Sequence, residues 1–169
     1  MRPLLLLDID GPLNPLRANW FPGPVPAPGY QFHELTPAGG IAYRVALNPR
    51  HGQRLRELAR ESFELVWATT WLEDANRLVA PLLGLPNDLP VIPLHRPHAP
   101  RGKCSWKAEQ ILAWVGGRRF VWFDDEINRA TRDWLASACP ADHLAYRVEP
   151  HLGLVDADFD EFKLFAQSL

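Results

Sequence analysis

Residues 4–15 read LLLLDIDGPLNP, and this stretch decides the fold class: four leucines run directly into two aspartates that one residue separates. A continuous apolar run of this length is typical of a strand that is buried on both faces of a sheet. Asp8 and Asp10 follow where such a strand would emerge. Ligands of open parallel sheets bind at that edge, so the stretch predicts a site as well as a strand.

Apolar runs of strand length recur along the chain and alternate with segments of helical period. The five predicted strands are Leu4–Ile9, Phe63–Ala68, Pro90–Leu94, Arg119–Phe123 and His143–Val148. Because these runs are continuous rather than alternating, both faces of the sheet should be covered. The pattern therefore predicts an α/β fold, a three-layer sandwich with a mostly parallel central sheet of about five strands.

Helix caps and apolar spacing predict five helices. Asn48 and Pro49 are typical of an N-cap and a first-turn proline. The stretch 70–73, TWLE, has capping-box spacing and predicts a helix that Pro81 and Gly84 would end. The remaining three are expected over 106–115, over 126–137 and after Asp158.

The stretch 12–49 differs from the rest because prolines and glycines interrupt it everywhere except at two extended pieces, 30–35 and 42–47. We interpret it as a flap inserted at about 12–49 into a single domain of 1–169, with no room for a large cap. The flap residues that could contact a substrate are Trp20, Tyr30, Phe32 and His33. Packing of the flap onto the sheet would explain these side chains as well.

The overall composition excludes several classes of protein. With a net charge of −2 and arginines interspersed with acidic residues, general nucleic-acid binding is not expected. Two distant cysteines predict neither a disulfide framework nor a zinc site, which fits a cytoplasmic protein. The apolar run 4–7 is too short for a signal sequence or a membrane span. Composition does not indicate an oligomeric state.

Polar oxygen groups follow three of the predicted strands. Asp8 and Asp10 follow the first, Thr69 and Thr70 the second, and Asp124 and Asp125 the fourth. Taken singly, each could be a helix cap or a loop residue. Together, four carboxylates in one crevice would repel one another unless a cation is bound, and Mg²⁺ prefers oxygen ligands and bridges to phosphate oxygens. The strand ends thus predict a magnesium site suited to phosphate chemistry.

With these motifs in this order, the chain resembles the haloacid dehalogenase-like (HAD) superfamily of Rossmannoid proteins. HAD phosphatases carry a strand followed by DxDG, a strand ending in Thr or Ser, a lysine, and a strand ending in acidic residues. The matching stretches are LLLLDIDG, FELVWATTW, WKAEQILAWVGGRRF and VWFDDE, between Leu4 and Glu126. The stretches DIDGPLNP, NPRHG, WATTW and WFDDE look most like the sequences of a bacterial branch of this superfamily.

The resemblance implies a role for each motif. Asp8 would be the nucleophile that forms an aspartyl-phosphate, and Asp10 the general acid and base. Thr69 would hydrogen-bond the phosphoryl group. Lys107 would neutralise its charge, with Lys103 as the alternative lysine.

The implied magnesium ligands are the Asp8 carboxylate, the Asp10 main-chain carbonyl and Asp124, with Asp125 in support. Pro12 departs from the superfamily pattern, in which Thr or Val is common after DxDG. Haloacid dehalogenases lack the second acid, so Asp10 argues for phosphate-ester hydrolysis instead.

The function that this resemblance implies is Mg²⁺-dependent hydrolysis of a phosphate monoester, and the absence of a large cap favours a large or extended phosphorylated substrate. Two alternatives stay open. One is a nucleotide or polynucleotide end-phosphatase linked to nucleic-acid repair. The other is a catalytically idle module that binds Mg²⁺ or a phosphorylated ligand.

Overall fold

The strands form one parallel sheet and one separate hairpin. The computed structural model describes residues 1–16, 29–97 and 102–168, so Trp20 lies outside the described residues. Within them the strands are β1 (Leu4–Leu7), β2 (Gln31–Leu35), β3 (Tyr43–Leu47), β4 (Glu64–Trp67), β5 (Phe120–Asp124) and β6 (His143–Arg147). The main sheet has the order β4-β1-β5-β6, and all its pairings are parallel.

Strand β1 is central, and its register aligns the ends of its neighbours. Leu7 lies opposite Trp67 of β4 on one side and Phe123 of β5 on the other. The four leucines of β1 are fully buried. Leu5 and Leu7 belong to the apolar cluster on one face and Leu4 and Leu6 to that on the other, as alternation along a strand requires.

Helices cover both faces of the sheet, which confirms the predicted α/β architecture. They are α1 (Pro49–Glu61), α2 (Ala80–Leu83), α3 (Ala108–Val115), α4 (Arg129–Ala138) and α5 (Asp156–Gln167), and a π-helical segment, Ala75–Val79, precedes α2. Leu55 of α1 and Phe159 of α5 pack on the face of Leu7. Ile111 of α3 and Leu135 of α4 pack on the face of Leu6.

The predicted strand Pro90–Leu94 is wrong, and the parallel sheet of the described residues has four strands. Only Val91 forms a bridge, with Trp67. The main chain around it exchanges two hydrogen bonds, from Trp67 N to Pro90 O at 2.8 Å and from Ile92 N to Trp67 O at 2.9 Å. Pro93 has no N–H to extend the ladder.

The capping box predicted at 70–73 does not form either. Thr70 and Trp71 lie in a turn, Leu72 has a φ of +48°, and the regular segment that follows lacks a side-chain cap. Pro81 lies inside α2, whereas Gly84 ends it with a φ of +63°, as predicted. In the turn that replaces the first helical turn, Trp71 Nε1 donates a hydrogen bond of 2.9 Å to Asp10 Oδ2.

The flap contains the predicted hairpin. Strands β2 and β3 pair in antiparallel fashion, with Gln31 opposite Leu47 and Leu35 opposite Tyr43. The buried side chains of Leu35, Val45 and Leu47 join the apolar cluster that contains Leu7. The hairpin is therefore anchored to the sheet by its own core residues.

Among the described residues, none of the helices combines the length and the apolar character needed to cross a bilayer.

Candidate active site

The ends of three neighbouring strands meet at one edge of the sheet. Asp8 follows β1 directly, and Asp124 is the last residue of the adjacent β5. On the other side of β1, Ala68 N donates to Leu7 O at 2.8 Å, which places Thr69 just beyond that edge. The register of the sheet thus brings Asp8, Thr69 and Asp124 to one place.

Lys107 completes the charged part of this group. Its Nζ lies 3.0 Å from Asp8 Oδ2 and 2.6 Å from Asp124 Oδ2, and its side chain is only 4% exposed. Lys107 immediately precedes α3, and a bond of 2.8 Å from Ser105 N to Thr131 Oγ1 ties that approach to α4. The exposed Lys103 lies on the same approach, so the structure places Lys107 rather than Lys103 against the two aspartates.

Burial and charge act in opposite directions on this pair. Burial raises the pKa of Asp8 well above its ordinary value, and Asp124 adds to the rise although Lys107 opposes it. Burial alone would lower the pKa of Lys107, but the carboxylates of Asp8 and Asp124 outweigh it and raise that pKa. The ammonium group is therefore charged at neutral pH, and one positive charge faces two buried acids.

Asp124 is held by donors on both of its oxygens. Oδ1 accepts a bond of 2.8 Å from Glu126 N, and Oδ2 accepts from Trp122 Nε1 at 3.3 Å in addition to Lys107. The side chain is fully buried. Three hydrogen bonds, from Lys107, Trp122 and Glu126, fix the carboxylate in one orientation.

Three acids could hold a metal ion between them. Carboxylate oxygens of Asp8, Asp124 and Asp125 lie within 4.8 Å of one another. Burial, and then the charges of Asp124 and Glu126, raise the pKa of Asp125 to about 6. The group offers oxygen donors alone and places three acids near a single lysine, and both properties suit a hard divalent cation such as Mg²⁺.

Gly11 of the DxDG motif is required by this arrangement. Its φ is +91°, and a Cβ atom at this position would lie 2.7 Å from Asp125 Cγ. Only glycine allows the turn after Asp10 to pass so close to Asp125. The next residue, Pro12, uses its carbonyl to accept a bond of 2.8 Å from Leu154 N, which connects the turn to the segment before α5.

The carboxylate of Asp10 does not join the acidic group. Its Oδ1 accepts a hydrogen bond from Asn14 Nδ2 and its Oδ2 one from Trp71 Nε1, each at 2.9 Å. Metal binding by Asp10 would therefore use the main-chain carbonyl that the superfamily resemblance implies. The two aspartates of the motif have separate surroundings.

The two threonines after β4 differ in exposure. Thr69 is fully buried, and its Oγ1 is 3.4 Å from Trp71 N, which donates to it. Thr70 is exposed and lines the cleft at the strand ends. Of the two threonines, Thr70 rather than the predicted Thr69 is among the residues that line the cleft.

Two adjacent cavities, which share lining residues, open beside these residues. The smaller, a cleft of about 150 Å³, has walls made by Asp8, Asp10, Lys107 and Asp125 and a rim that includes Arg96 and Trp106. The larger, a groove of about 730 Å³, lies between β3 and the turn 70–74. Asp10, Leu16 and Thr70 line both, so Asp10 stands at the junction of cleft and groove.

The hairpin faces the groove with β3 rather than with the flap residues singled out in the sequence. Tyr43, Arg44 and Val45 line the groove. Tyr30 instead donates to Leu152 O at 3.4 Å, and Phe32 lies under the guanidinium of Arg44, 3.8 Å from ring centroid to Cζ. Tyr30, Phe32 and His33 are not among the lining residues of either cavity.

Sequence reasoning missed several residues of the site. Asn14 and Trp71 belong to the quoted motifs DIDGPLNP and WATTW, but spacing alone gave them no role. Arg96 and Trp106 lie at the rim, where Trp106 Nε1 donates to Glu126 Oε2 at 3.0 Å. A polar residue four positions after Asp10 was the available signal for Asn14.

Comparison with known proteins identifies one family. A family model described as "HAD domain in Swiss Army Knife RNA repair proteins" matches residues 4–159, which include every residue of the site described above. No match was found among the curated proteins or among the solved structures.

Proposed function

Because the chain belongs to the family of HAD domains in Swiss Army Knife RNA repair proteins, we propose that it is a Mg²⁺-dependent phosphatase that hydrolyses a phosphate monoester. The family implies a phosphatase-type hydrolase. The observation that carries the proposal is the Asp8 carboxylate in the wall of an open cleft, 3.0 Å from the Lys107 ammonium, with a second acid two residues later.

In the first step, an Asp8 oxygen attacks phosphorus while the bond from phosphorus to the ester oxygen breaks, and an aspartyl-phosphate forms. Asp10 gives its proton to the departing oxygen, so the product leaves as an alcohol. Lys107 offsets negative charge on Asp8 and on the phosphoryl group. The cleft, open at its rim, admits the phosphoryl end of the substrate.

In the second step, water attacks the phosphorus of the aspartyl-phosphate and Asp10 takes a proton from that water. The bond from Asp8 to phosphorus breaks, inorganic phosphate leaves, and both aspartates return to their starting states. The position of Asp10 at the junction of cleft and groove supports this double role, because alcohol and water can reach the same carboxylate in turn.

Asp8, Asp124 and Asp125 would hold the magnesium ion, together with the main-chain carbonyl of Asp10. When bound, Mg²⁺ neutralises charge on the phosphoryl oxygens and on the acids around it. The raised pKa of Asp8 supports this requirement, since Asp8 must be ionised to attack and Lys107 alone does not bring its pKa back to the ordinary range.

Hydrolysis of p-nitrophenyl phosphate with and without Mg²⁺ tests the proposal. We expect Mg²⁺-dependent turnover by the wild-type protein and a loss of about 10³-fold or more in Asp8→Asn, because the amide cannot form the acyl phosphate. Equal rates for the two proteins would contradict the proposal. Trapping a beryllofluoride adduct on Asp8 separates an enzyme from an idle module, which has no need to stabilise a phosphoryl-like group there.

A polynucleotide end is the second candidate substrate, and the description of the matched family favours it. The groove beside Asp10 could accept the terminal nucleoside of such an end. A phosphorylated oligoribonucleotide, a mononucleotide and a sugar phosphate should be compared side by side at several salt concentrations. A strong preference for the oligoribonucleotide with a steep salt dependence would support this candidate, and equal rates on all three would exclude it.

A further inference from the structure

The two aspartates of the DxD motif have partners of different charge. Asp8 faces the ammonium of Lys107. Asp10 instead accepts one hydrogen bond on each oxygen from neutral donors, the amide of Asn14 and the indole of Trp71, both at 2.9 Å. Two directional bonds on opposite oxygens fix the plane of a carboxyl group without placing a cation beside it.

Asn14 connects Asp10 to the hairpin. Its side chain is 4% exposed, and its Oδ1 accepts a buried bond of 2.9 Å from Ala46 N of β3. The main chain of Asn14 is held as well, with a bond of 2.8 Å from its N–H to Ile9 O and one of 3.0 Å from Gly11 N to its carbonyl. An amide that is fixed at both ends can hold the carboxylate in one place.

Trp71 bonds to the other carboxylate oxygen of Asp10 and belongs to a strained turn. The next residue, Leu72, has a φ of +48° and is the sole non-glycine residue with a positive φ in the described chain. The indole of Trp71 packs against Tyr43 of β3, with ring centroids 6.1 Å apart. Strain of this kind persists where surrounding contacts enforce it, and here the turn aims the indole N–H at Asp10.

Both donors lie on the groove side of Asp10. Asn14 and Trp71 line the groove, whereas Asp8 and Lys107 line the cleft, and Asp10 borders on both. A phosphoryl group placed at Asp8 directs its ester oxygen away from Asp8, because nucleophile and leaving group are in line. The groove is the larger of the two cavities that Asp10 borders, so it is where the departing alcohol fits.

The geometry points to Asn14 and Trp71 as positioning residues that hold the acid Asp10 toward the leaving oxygen of a substrate whose alcohol part occupies the groove. This inference rests on the proposed phosphatase function. It extends that function by assigning to the hairpin and to the turn 70–74 control over proton transfer, separate from the attack by Asp8.

Protonation of the leaving group by Asp10 should affect phosphate esters with good and poor leaving groups differently. A dinitrophenolate is stable as an anion and leaves without a proton, whereas an alkoxide must be protonated as it departs. Displacing the acid therefore slows hydrolysis of alkyl phosphates far more than that of dinitrophenyl phosphate. A general loss of structure would slow both alike.

The test compares Trp71→Phe with wild type on 2,4-dinitrophenyl phosphate and on glycerol phosphate, both with saturating Mg²⁺. Phenylalanine keeps an aromatic ring at this position, is smaller than the indole and lacks its N–H. We expect kcat/KM for glycerol phosphate to fall about tenfold or more, a part of the 10²–10⁴-fold that general acids contribute. The aryl ester should change less than about threefold.

The matched control is Trp106→Phe, which removes an indole bond to Glu126 on the other rim of the cleft. Its losses should be equal on the two esters. Equal losses in Trp71→Phe, or none, would overturn the inference while leaving the phosphatase proposal intact. Undiminished hydrolysis of both esters by Asp8→Asn would overturn both.

Should Trp71→Phe unfold at lower urea concentration than wild type, Asn14→Ser provides the second variant, because the shorter side chain loses its bond to Asp10 without adding bulk. The same selective loss on glycerol phosphate is expected. A loss that is equal on both esters in this variant would also contradict the inference.

Discussion

One residue separates the aspartates of the opening motif, yet the regions around them are built in different ways. The strand-end half of the site consists of Asp8, Lys107, Asp124 and Asp125, and it is charged and largely buried. The hairpin half consists of Asp10, Asn14 and Trp71, and its donors are neutral and linked to β3. A buried cation thus lies beside Asp8, whereas directional hydrogen bonds from neutral donors orient Asp10.

Removing Lys107 should have the largest effect. Lys107→Met leaves Asp8 and Asp124 buried without their cation, which costs about 3–5 kcal/mol of unfolding free energy in the absence of divalent ions. Turnover should fall by about 10³-fold, because an electrostatic contact to the phosphoryl group is lost. Urea unfolding in EDTA and steady-state kinetics measure the two effects.

Lys103→Met is the control, because Lys103 is exposed on the same approach to α3 and makes no contact with the acids through its side chain in the described structure. Its unfolding free energy should stay within about 0.5 kcal/mol of wild type. Similar losses in both variants would mean that the lysine contact with Asp8 has no special function.

Magnesium should stabilise the strand-end half alone. At a concentration of 100 times its Kd, Mg²⁺ should raise the unfolding free energy of the wild-type protein by about 2.7 kcal/mol. Asp124→Asn should lose this increment, whereas Asp10→Asn should keep it, because the Asp10 carboxylate faces Asn14 and Trp71. Urea unfolding with and without Mg²⁺ measures this increment. If both variants lose it equally, the two halves do not differ in magnesium binding.

The stability of the metal-free protein should depend on the protonation of Asp125. Its pKa is raised to about 6 in the folded protein, so the folded state binds a proton more tightly than the unfolded state. The resulting contribution is fully present below the ordinary pKa of 3.8 and is lost as the pH rises through 6. In EDTA, the difference in stability between wild type and Asp125→Asn should shift by on the order of 2 kcal/mol between pH 4 and pH 7.

His51 gives the internal reference for this measurement, because burial lowers its pKa to about 4 and its contribution has the opposite sign. That contribution is present above the ordinary pKa of 6.5 and is lost as the pH falls through 4. His51→Phe should therefore flatten the acid side of the stability curve. An Asp125→Asn curve parallel to that of wild type would refute the prediction for Asp125.

The smallest effect is expected in the groove. Arg44 is exposed, lines the groove and packs its guanidinium over Phe32. Arg44→Ala should raise KM about two- to threefold, for whichever phosphate monoester the wild-type protein hydrolyses best, and leave kcat unchanged. Arg60→Ala, on the exposed end of α1, should change neither constant. A fall in kcat would show that Arg44 acts on more than substrate binding.

Much of the fold could be predicted because the strongest signals are local. Four leucines in β1 and the aromatic run in β5 are apolar on both faces, and such runs are buried in the middle of a sheet whatever their neighbours are. The prediction was wrong where strand pairing depends on contacts with other segments of the chain. Pro90–Leu94 is apolar enough for a strand, but its prolines limit pairing to one bridge at Val91.

The turn at Thr70 shows the same limit in the site. A capping box was reasonable from spacing, but the indole of Trp71 bonds to Asp10, which lies 61 positions earlier in the chain, and Leu72 accepts a positive φ as a result. A contact over that distance leaves no periodic pattern in the sequence. The role of Asn14 was hidden for the same reason, since its amide bonds to Ala46 of β3.

The sequence by itself indicated four buried strands, with ends within two residues of those observed, and the acids near those ends, because apolar runs and chain order carry this information locally. It also indicated Lys107 for the site, with Lys103 as the alternative. Only the tertiary structure placed Lys107 between Asp8 and Asp124 and turned Asp10 toward Asn14 and Trp71. These outcomes depend on the register of adjacent strands and on the docking of the hairpin, which join residues that are distant in the chain.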